Sequence, residues 1–273
     1  MKLEGKVAVV TGAASGIGQA TCLKLAEEGV AAIGAVDRSE GVREFARSLN
    51  DRFGRELLMP YSGDVVDGAF RERVFADIET KFDAVHICVP AAGITRDRLA
   101  VKLTNGSEPL RLDLYSEDEF RRVMDINLIA PIYWALRTVG SVALSRKRAR
   151  LGPWVPDERV QGGIVLIGSV SKAGNRGQIS YATAKAGLEG AQATLAIEAI
   201  FYGVRCAIIH PGFTDTPMVR SLGDDLIREQ ILPNTQLKRL IRPEEIAEAI
   251  VFMLRNSSVS GALWADAGWH PRG

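Results

Sequence analysis

The chain has 273 residues, of which 47% are hydrophobic and 25% are charged, and its formal net charge is +1. These are ordinary values for a globular protein, and they leave no excess charge for binding nucleic acid or an anionic membrane surface. No apolar run approaches the roughly 20 residues that a membrane-spanning helix needs, and the N-terminus has no apolar signal core. We therefore expect a cytoplasmic protein that binds neither nucleic acid nor membrane.

Cysteine and histidine are sparse. The three cysteines, Cys22, Cys88 and Cys206, are set among apolar residues, and the three histidines are dispersed. A pattern without C-x-x-C and without closely spaced histidines predicts buried free thiols and no metal site. No serine stands in a G-x-S-x-G context, which excludes the nucleophile elbow of an α/β-hydrolase.

Strand and helix patterns alternate through the first third of the chain. Short β-branched runs predict buried strands at residues 6–11, 31–36, 57–61 and 84–89. Apolar residues at helical spacing predict helices at residues 15–29, 40–53 and 67–82. Each of the first three strands is thus followed by a helix, as parallel neighbouring strands require.

The alternation resumes at residue 116. Ser116 and Glu119 form a capping box that opens a helix running toward Val142, and Pro243 stands in the first turn of a C-terminal helix. Further strands are predicted at residues 164–169, 204–209 and 262–265, with a helix at residues 181–202. Seven strands alternating with helices predict an α/β fold, a doubly wound, seven-stranded parallel sheet of Rossmann type in three α/β/α layers.

Several stretches interrupt this alternation. Residues 96–115, which contain an Asn105–Gly106 turn, and residues 145–163 have the character of insertions. The mixed apolar and charged segment within residues 214–240 is typical of a lid over a pocket, or of ordinary surface packing. We interpret the basic run at residues 146–150 as a solvated helix end. Because there is no internal repeat or linker, we expect residues 1–273 to form a single domain.

The turn between the first strand and the first helix reads T-G-A-A-S-G-I-G. Its glycines, Gly12, Gly16 and Gly18, permit a tight turn and a close backbone approach, and Ser15 and Ile17 stand beside them. Free N–H groups and the helix dipole at this N-terminus favour a pyrophosphate. The G-x-x-x-G-x-G spacing differs from the usual G-x-G-x-x-G fingerprint, so a plain βα turn is the alternative interpretation.

Asp37 follows the second predicted strand. A carboxylate at that position accepts both ribose hydroxyls of NAD and repels a 2′-phosphate, so we expect NAD as the cofactor. Arg38 follows at once and could pair with a phosphate, which keeps NADP as the less favoured cofactor. A helix N-cap is the alternative role for Asp37.

Tyr181 and Lys185 are four residues apart on a predicted helix, so their side chains share a face. A nearby ammonium favours the phenolate and is expected to lower the pKa of Tyr181 from about 10 toward the range of an acid/base catalyst. Ser169 ends the strand just upstream, and ligands bind where the carboxyl ends of parallel strands meet. The Y-x-x-x-K spacing alone also occurs on solvated helices. The predicted acid/base role of Tyr181 and Lys185 therefore depends on their lying close to Ser169 at the strand ends.

The ordered set of motifs resembles the classical short-chain dehydrogenase/reductase family over nearly the whole chain. The matching segments are TGAASGIG, GDV, PAAG, MDIN, IGS, YATAK and HPG. The resemblance implies that Tyr181 exchanges a proton with the substrate oxygen, that Lys185 lowers the tyrosine pKa and binds the nicotinamide ribose, and that Ser169 holds the substrate oxygen. It also implies that Asn127 anchors a water in a proton relay.

The same resemblance implies further cofactor contacts, which are Asp64 and Val65 at the adenine, Ala92 and Gly93 in the strand-four motif, and Pro211, Gly212 and Thr214 at the nicotinamide. Thr216 is an alternative to Thr214 as the residue that reaches the carboxamide. For three of the predicted site residues, a purely structural role is the alternative. Ser169 could close a strand, Asn127 could bond a backbone neighbour as a buried polar residue, and Asp64 could be a turn residue.

The chain departs from the family pattern at Pro90 and Ala91, where two asparagines are usual, and in the spacing of Ser169, twelve residues before Tyr181. This spacing is one residue shorter than usual and makes Ser171 a rival for the role of the serine. Neither departure removes a catalytic group.

These observations predict an NAD(H)-dependent oxidoreductase that moves a hydride to or from a secondary alcohol or ketone of the sugar, polyol or hydroxy acid type. The G-I-T-R-D run at residues 93–97 and the G-N-R-G-Q run at residues 174–178 resemble NADPH-dependent 3-oxoacyl reductases, which are the first alternative. A non-catalytic dinucleotide sensor or scaffold is the alternative from another class. The resemblance also implies a homo-oligomer, either a tetramer or a dimer.

Overall fold

The computed structural model describes residues 1–103 and 111–269. Its strands are β1 (Val7–Thr11), β2 (Ala32–Asp37), β3 (Leu58–Ser62), β4 (Ile87–Pro90), β5 (Val101–Leu103), β6 (Leu112–Leu114), β7 (Gly162–Ile167), β8 (Val204–Pro211) and β9 (Gly261–Ala265). Seven of them form one parallel sheet in the order β3-β2-β1-β4-β7-β8-β9. This sheet confirms the predicted doubly wound topology.

Helices cover both faces of the sheet. They are α1 (Gly16–Glu27), α2 (Gly41–Phe53), α3 (Gly68–Phe82), α4 (Glu117–Met124), α5 (Ala130–Arg148), α6 (Ile179–Glu198), α7 (Pro217–Arg220), α8 (Asp224–Leu226) and α9 (Pro243–Arg255). On one face, α1 and α9 bury Leu25 and Ile250 against the strands. On the other, α3 and α6 bury Phe75 and Leu188. The predicted three-layer arrangement is therefore confirmed.

One strand end differs from the prediction at the site. β7 ends at Ile167 rather than at residue 169, and Ser169 lies beyond it as the N-cap of a 3₁₀ turn over Val170–Ala173. The hydroxyl of Ser169 accepts a hydrogen bond from the backbone N–H of Ser171 at 3.0 Å. Ser169 is thus held by a cap and a turn instead of by the strand ladder.

Residues 96–115 contain a small antiparallel pair outside the main sheet. β5 and β6 pair with each other, and their apolar side chains are exposed. The backbone N–H of Arg98 donates to the carbonyl of Gly177 at 2.8 Å, which joins this segment to the loop before α6. The Asn105–Gly106 turn lies outside the described residues.

The basic run at residues 146–150 was predicted to be a solvated helix end, and that is wrong for Arg146. Its side chain is only 4% exposed and forms a 2.6 Å ion pair with Glu158. Its guanidinium also donates to the carbonyl of Gly152 at 2.7 Å. The loop after α5 folds back over the helix end and supplies both partners, so Arg146 anchors that loop.

The segment Glu117–Arg148 joins α4 and α5 through a π-helical turn at Asp125–Ile129. Among the described residues, it is the one helical segment long and apolar enough to cross a membrane by length and composition. Its inner side, which includes Trp134 and Val142, is packed against the sheet, as in the core helix of a globular protein.

Candidate active site

The carboxyl ends of the central strands border one cleft of about 370 Å³. The predicted residues that line it together are Gly12, Ser15, Gly16, Ile17, Gly18, Asp37, Asp64, Val65, Ala92, Gly93, Tyr181 and Lys185. No cofactor contact was predicted for other lining residues, which are Gly63 and Ala91, within the GDV and PAAG motifs, and Ile94, Ile126, Ile167, Pro217 and Met218. The predicted residues that lie outside this lining are Asn127, Ser169, Pro211, Gly212 and Thr214.

The glycine turn forms a cradle that side chains would fill. Gly12 has a φ of +68°, and a Cβ there would lie 2.8 Å from the backbone nitrogen of Ala92. A Cβ on Gly18 would collide with the carbonyl oxygen of Gly12. Ser15 is the N-cap of α1 and its side chain makes no capping hydrogen bond, so N–H groups of the first turn stay available. This backbone fits a pyrophosphate.

Asp37 is fixed at the end of β2 by two backbone donors. One carboxylate oxygen accepts from the N–H of Ala14 at 2.9 Å and the other from the N–H of Ser39 at 2.8 Å. Each oxygen keeps a further lone pair, so the carboxylate can still accept from a ribose hydroxyl. Arg38 is exposed and also lines the cleft.

Asp64 and Val65 line the cleft just after β3. The indole N–H of Trp134 donates to the carbonyl of Val65 at 3.0 Å, which fixes the backbone at this point. Asp64 accepts from the N–H of Val66 at 3.2 Å. Asp64 is therefore a turn residue as well as a cleft residue, since the two roles use different lone pairs.

Tyr181 and Lys185 lie one turn apart in α6, as predicted. The ammonium of Lys185 is 5.6 Å from the centroid of the Tyr181 ring. It is almost fully buried and donates to the carbonyl of Ile167 at 2.7 Å. Burial lowers the pKa of Lys185 to about 8, so its side chain is still predominantly charged at pH 7.

The pKa of Tyr181 differs from the expectation. Burial raises it, the hydrogen bond with Ser169 lowers it, and the Asp97 carboxylate raises it further. The expected lowering by Lys185 is not found here: Lys185 is not among the groups that shift this pKa, and desolvation of the phenol is the largest influence. A phenol with a raised pKa keeps its proton at neutral pH, as a proton donor must.

Ser169 stands beside Tyr181 and is buried, with 7% of its surface exposed. Its backbone N–H donates to Nδ1 of His210 at 3.2 Å. Its rival Ser171 lies at the wall of a small adjoining pocket that Tyr181 also lines, whereas Ser169 is the serine that lowers the pKa of the phenol. The structure therefore favours Ser169 as the partner of Tyr181.

Asn127 is completely buried in the π-helical turn. Its side-chain oxygen accepts from the N–H of Ile94 at 2.9 Å, and its amide donates to the carbonyl of Ile94 at 2.7 Å. The side chain thus fixes the loop after β4, which matches the backbone-bonding alternative. Its role in a water relay stays a prediction.

Thr214 and Thr216 differ in their position relative to the cleft. Thr214 is 3% exposed and its hydroxyl donates to the carbonyl of Gly212 at 3.1 Å. Thr216 lines the cleft, and its methyl group would lie 2.8 Å from a Cβ on Gly16. Of the two threonines, Thr216 is the one placed to meet a bound cofactor, whereas Thr214 was our first expectation.

Beside Tyr181 the cleft adjoins a narrow pocket of about 70 Å³. Its wall includes Ser171, Gln178 and Leu222, and Gly212 lies there instead of in the main cleft. The pocket adjoins an outer cavity of about 970 Å³, with which it shares Asp97, Gln178, Phe213 and Leu222. The predicted lid segment contributes wall residues to both spaces, which are Met218, Val219, Leu222, Leu226, Gln230, Ile231, Pro233, Asn234, Thr235, Gln236 and Lys238.

Asp97 and Gln178 stand at the junction of these two spaces, and sequence reasoning assigned neither to the site. The amide of Gln178 donates to Asp97 at 2.7 Å, and its oxygen accepts from Asn175 at 3.1 Å. The only sequence signal was that both residues belong to runs resembling the oxoacyl reductases. The junction therefore combines this polar pair with the apolar side chains of Phe213 and Leu222.

The sequence matches the family described as Enoyl-(Acyl carrier protein) reductase over residues 12–270. The chain is 36% identical over 267 residues to 3-oxoacyl-[acyl-carrier-protein] reductase FabG of Pseudomonas aeruginosa, covering 96% of each chain. It is 34% identical over 254 residues to the protein of that name from Salmonella typhimurium, covering 93% of this chain and 91% of the relative. The corresponding protein of Thermotoga maritima is 32% identical over 259 residues, covering 94% of each chain.

The match extends over nearly the whole chain, and the cleft brings together a glycine cradle and a tyrosine–lysine pair, with Ser169 close enough to the tyrosine to lower its pKa. The chain belongs to the short-chain dehydrogenase/reductase family and is an NAD(P)-dependent oxidoreductase that acts on a CH–OH or keto group.

Proposed function

We propose that this protein reduces the keto group of a 3-oxoacyl thioester to a hydroxyl, with NADH as the preferred hydride donor. The observation that carries the proposal is the narrow pocket beside Tyr181 that adjoins the large outer cavity. A short acyl group fits the pocket, while the long amide-containing arm of a thioester needs a wide polar channel. The names of the relatives support the same substrate class.

This proposal takes the place of the sugar, polyol or hydroxy acid expectation. An outer cavity of about 970 Å³ is much larger than a single sugar or polyol requires. The carboxylate of Asp97 at the junction would repel the carboxylate of a small hydroxy acid. A substrate with an uncharged keto group and a long polar substituent would fill the outer cavity and would not be repelled by Asp97.

The residues of the cleft divide the work of ketone reduction. When bound, the nicotinamide cofactor supplies the hydride. Ser169 and Tyr181 present two neighbouring hydroxyls to the keto oxygen, and Tyr181 donates its proton to that oxygen. Lys185, whose ammonium is 5.6 Å from the phenol ring, stabilises the phenolate that remains.

The preference for NADH is based on Asp37. Its carboxylate is fixed at the cleft wall by the N–H groups of Ala14 and Ser39, so it cannot readily turn away from a 2′-phosphate. Desolvating a phosphate against a fixed carboxylate is unfavourable. Arg38 acts in the opposite direction, and we propose that Asp37 outweighs it because Arg38 is exposed to solvent.

The family resemblance and the surface of α5 and α6 support a homo-oligomer. Apolar side chains of these helices and of the preceding turn are exposed, and they are Ile129, Tyr133, Leu136, Leu144, Ile179 and Ile197. Burying such a surface against a second copy would remove it from water. Light scattering after size exclusion should give a dimer or a tetramer, and Leu136→Lys with Leu144→Lys should give smaller species.

The substrate assignment is tested by turnover with a panel of carbonyl compounds. We expect reduction of an acetoacetyl thioester, with a higher kcat/KM for NADH than for NADPH, read at the nicotinamide absorbance. Acetoacetate, simple ketoses and oxidised polyols serve as the matched alternatives. Turnover of a sugar or polyol with NAD, and none of the thioester, would show that the substrate class is wrong.

A further inference from the structure

A histidine that has no part in the mechanism above lies directly behind Ser169. His210, near the end of β8, is completely buried, and its Nδ1 accepts the backbone N–H of Ser169 at 3.2 Å. Its ring packs against that of Trp264 with 4.8 Å between centroids. A Cβ on Gly168 would collide with the imidazole, so the strand beside it leaves room for this ring.

The hydrogen bond fixes the tautomer of His210. Because Nδ1 accepts, the proton of the neutral ring is on Nε2, which lies 3.1 Å from a carboxylate oxygen of Glu189. The same oxygen of Glu189 pairs with the ammonium of Lys172 at 2.5 Å. The cluster thus connects α6, the 3₁₀ turn and the backbone of Ser169.

We propose that His210 is a positioning residue that fixes Ser169 for hydrogen bonding to the substrate oxygen, and that the nearby ammonium of Lys172 keeps its ring neutral against the opposing charge of Glu189. The proposal rests on the catalytic role proposed above for Ser169. It adds a charged cluster behind the site whose members touch neither substrate nor cofactor.

The physical basis is that His210 is the acceptor for the N–H of Ser169, whereas the 3₁₀ turn holds the carbonyl and the hydroxyl of Ser169. Ser169 lies past the end of β7 in an extended conformation, with a φ of −170° and a ψ of 153°, directly before the 3₁₀ turn. Without His210, the N–H of Ser169 would be buried without an acceptor, which is costly. A small displacement of the Ser169 hydroxyl would separate it from Tyr181 and from the substrate oxygen.

Protonation of His210 at Nδ1 would end this arrangement, since a donor would then face the N–H of Ser169. Burial and the Lys172 ammonium lower the pKa of His210, while Glu189 opposes them. In the described part of the chain, Lys172 from the turn and Glu189 from α6 are the charged groups that face the ring. The serine should therefore stay in place at neutral pH and lose its position only in acid.

The first test reads the tautomer directly and does not depend on activity. The chain contains only three histidines, so ¹⁵N-histidine labelling gives few signals, and His210→Gln identifies the one of interest. We expect a neutral Nε2–H ring that does not titrate at pH 6.5. An Nδ1–H tautomer, or titration at the ordinary histidine pKa, would overturn the proposal.

The second test separates positioning from simple packing. His210→Phe keeps the ring volume without an acceptor, and we expect kcat to fall by roughly tenfold or more while the Kd for NADH changes less than about twofold. His210→Gln supplies an amide oxygen and should restore most of kcat. Equal kcat in the Phe variant and the wild type, or an equal loss in both variants, would contradict the proposal.

The third test leaves His210 in place, so it can be carried out even if the His210→Phe variant does not fold. Lys172→Met removes the cation that repels protonation of His210 and should move the acid limb of the kcat profile to higher pH. Glu189→Gln removes the opposing anion and should move it to lower pH. Shifts in the same direction, or no shift, would overturn the inference, because loss of packing predicts no opposite movements.

The Ser169→Ala variant distinguishes failure of the proposed role of Ser169 from failure of the proposed role of His210. If Ser169→Ala keeps kcat, the role of Ser169 in the proposed function is wrong. If Ser169→Ala loses kcat while His210→Phe keeps it, the proposed function stands and only the positioning role of His210 fails.

Discussion

The cofactor side and the substrate side of the cleft are built in different ways. On the cofactor side, Gly12, Gly18 and Asp37 come from one β-α-β stretch, and backbone groups do most of the work. On the substrate side, Asp97 and Gln178 come from separate loops joined by a few long-range hydrogen bonds. The residues of the cofactor side are therefore close together in the sequence, whereas those of the substrate side are distant in the sequence and meet only in the folded chain.

The largest expected effect lies where the two sides join. Tyr181→Phe removes the proton donor, so kcat for reduction should fall by at least about 100-fold. The Kd for NADH should stay within about twofold of the wild-type value, as measured by nicotinamide fluorescence. Tyr202→Phe, at the far end of α6 in a 3₁₀ turn, is the matched control and should leave kcat unchanged. Persistent turnover in Tyr181→Phe would remove the phenol from the mechanism.

A backbone change should act on the cofactor side alone. Gly12→Ala places a Cβ at a positive φ and against Ala92, so we expect a Kd for NADH raised roughly tenfold, about 1.4 kcal/mol. Steric strain should also lower the free energy of unfolding by about 1–3 kcal/mol in urea titrations. Gly152→Ala is the control, since a Cβ at that exposed loop position meets nothing and should leave the Kd for NADH unchanged. A normal Kd in Gly12→Ala would contradict the cradle.

Cofactor choice should depend on two adjacent side chains. Asp37→Asn removes the fixed charge, so the ratio of NADPH to NADH affinity should rise roughly tenfold in fluorescence titrations. Arg38→Met should move the same ratio in the other direction, by a smaller factor, because its side chain is exposed. An unchanged ratio in Asp37→Asn would mean that the NADH preference has another origin.

The smallest expected effect is a shift in pH dependence on the substrate side. Reduction needs a protonated Tyr181, and the Asp97 carboxylate raises the pKa of that phenol. Asp97→Asn should therefore lower this pKa and move the alkaline loss of kcat to lower pH. Deprotonation of Lys185, with a pKa of about 8, should contribute to the same limb in both proteins. A shift to higher pH in Asp97→Asn would contradict this electrostatic coupling.

The difference between the two sides also explains how far sequence reasoning reached. The sheet, the glycine turn, Asp37 and the Tyr181–Lys185 pair follow from periodicity, strand ends and helical spacing, which are local properties. Asp97 and His210 had no predicted role, and Thr216 was only the alternative to Thr214, because their surroundings come from loops and strands that meet only in the folded chain. The raised pKa of Tyr181 was missed for the same reason, since burial is a tertiary property.

The central claim is that a 3-oxoacyl thioester lies with its keto oxygen between Ser169 and Tyr181. A crystal structure of the protein with the oxidised cofactor and a 3-hydroxyacyl thioester tests this most directly. We predict that the 3-hydroxyl oxygen lies within hydrogen-bond distance of both side-chain hydroxyls, and that the thioester arm passes Asp97 into the outer cavity. A hydroxyl oxygen distant from both residues, or an arm that leaves the outer cavity empty, would contradict the claim.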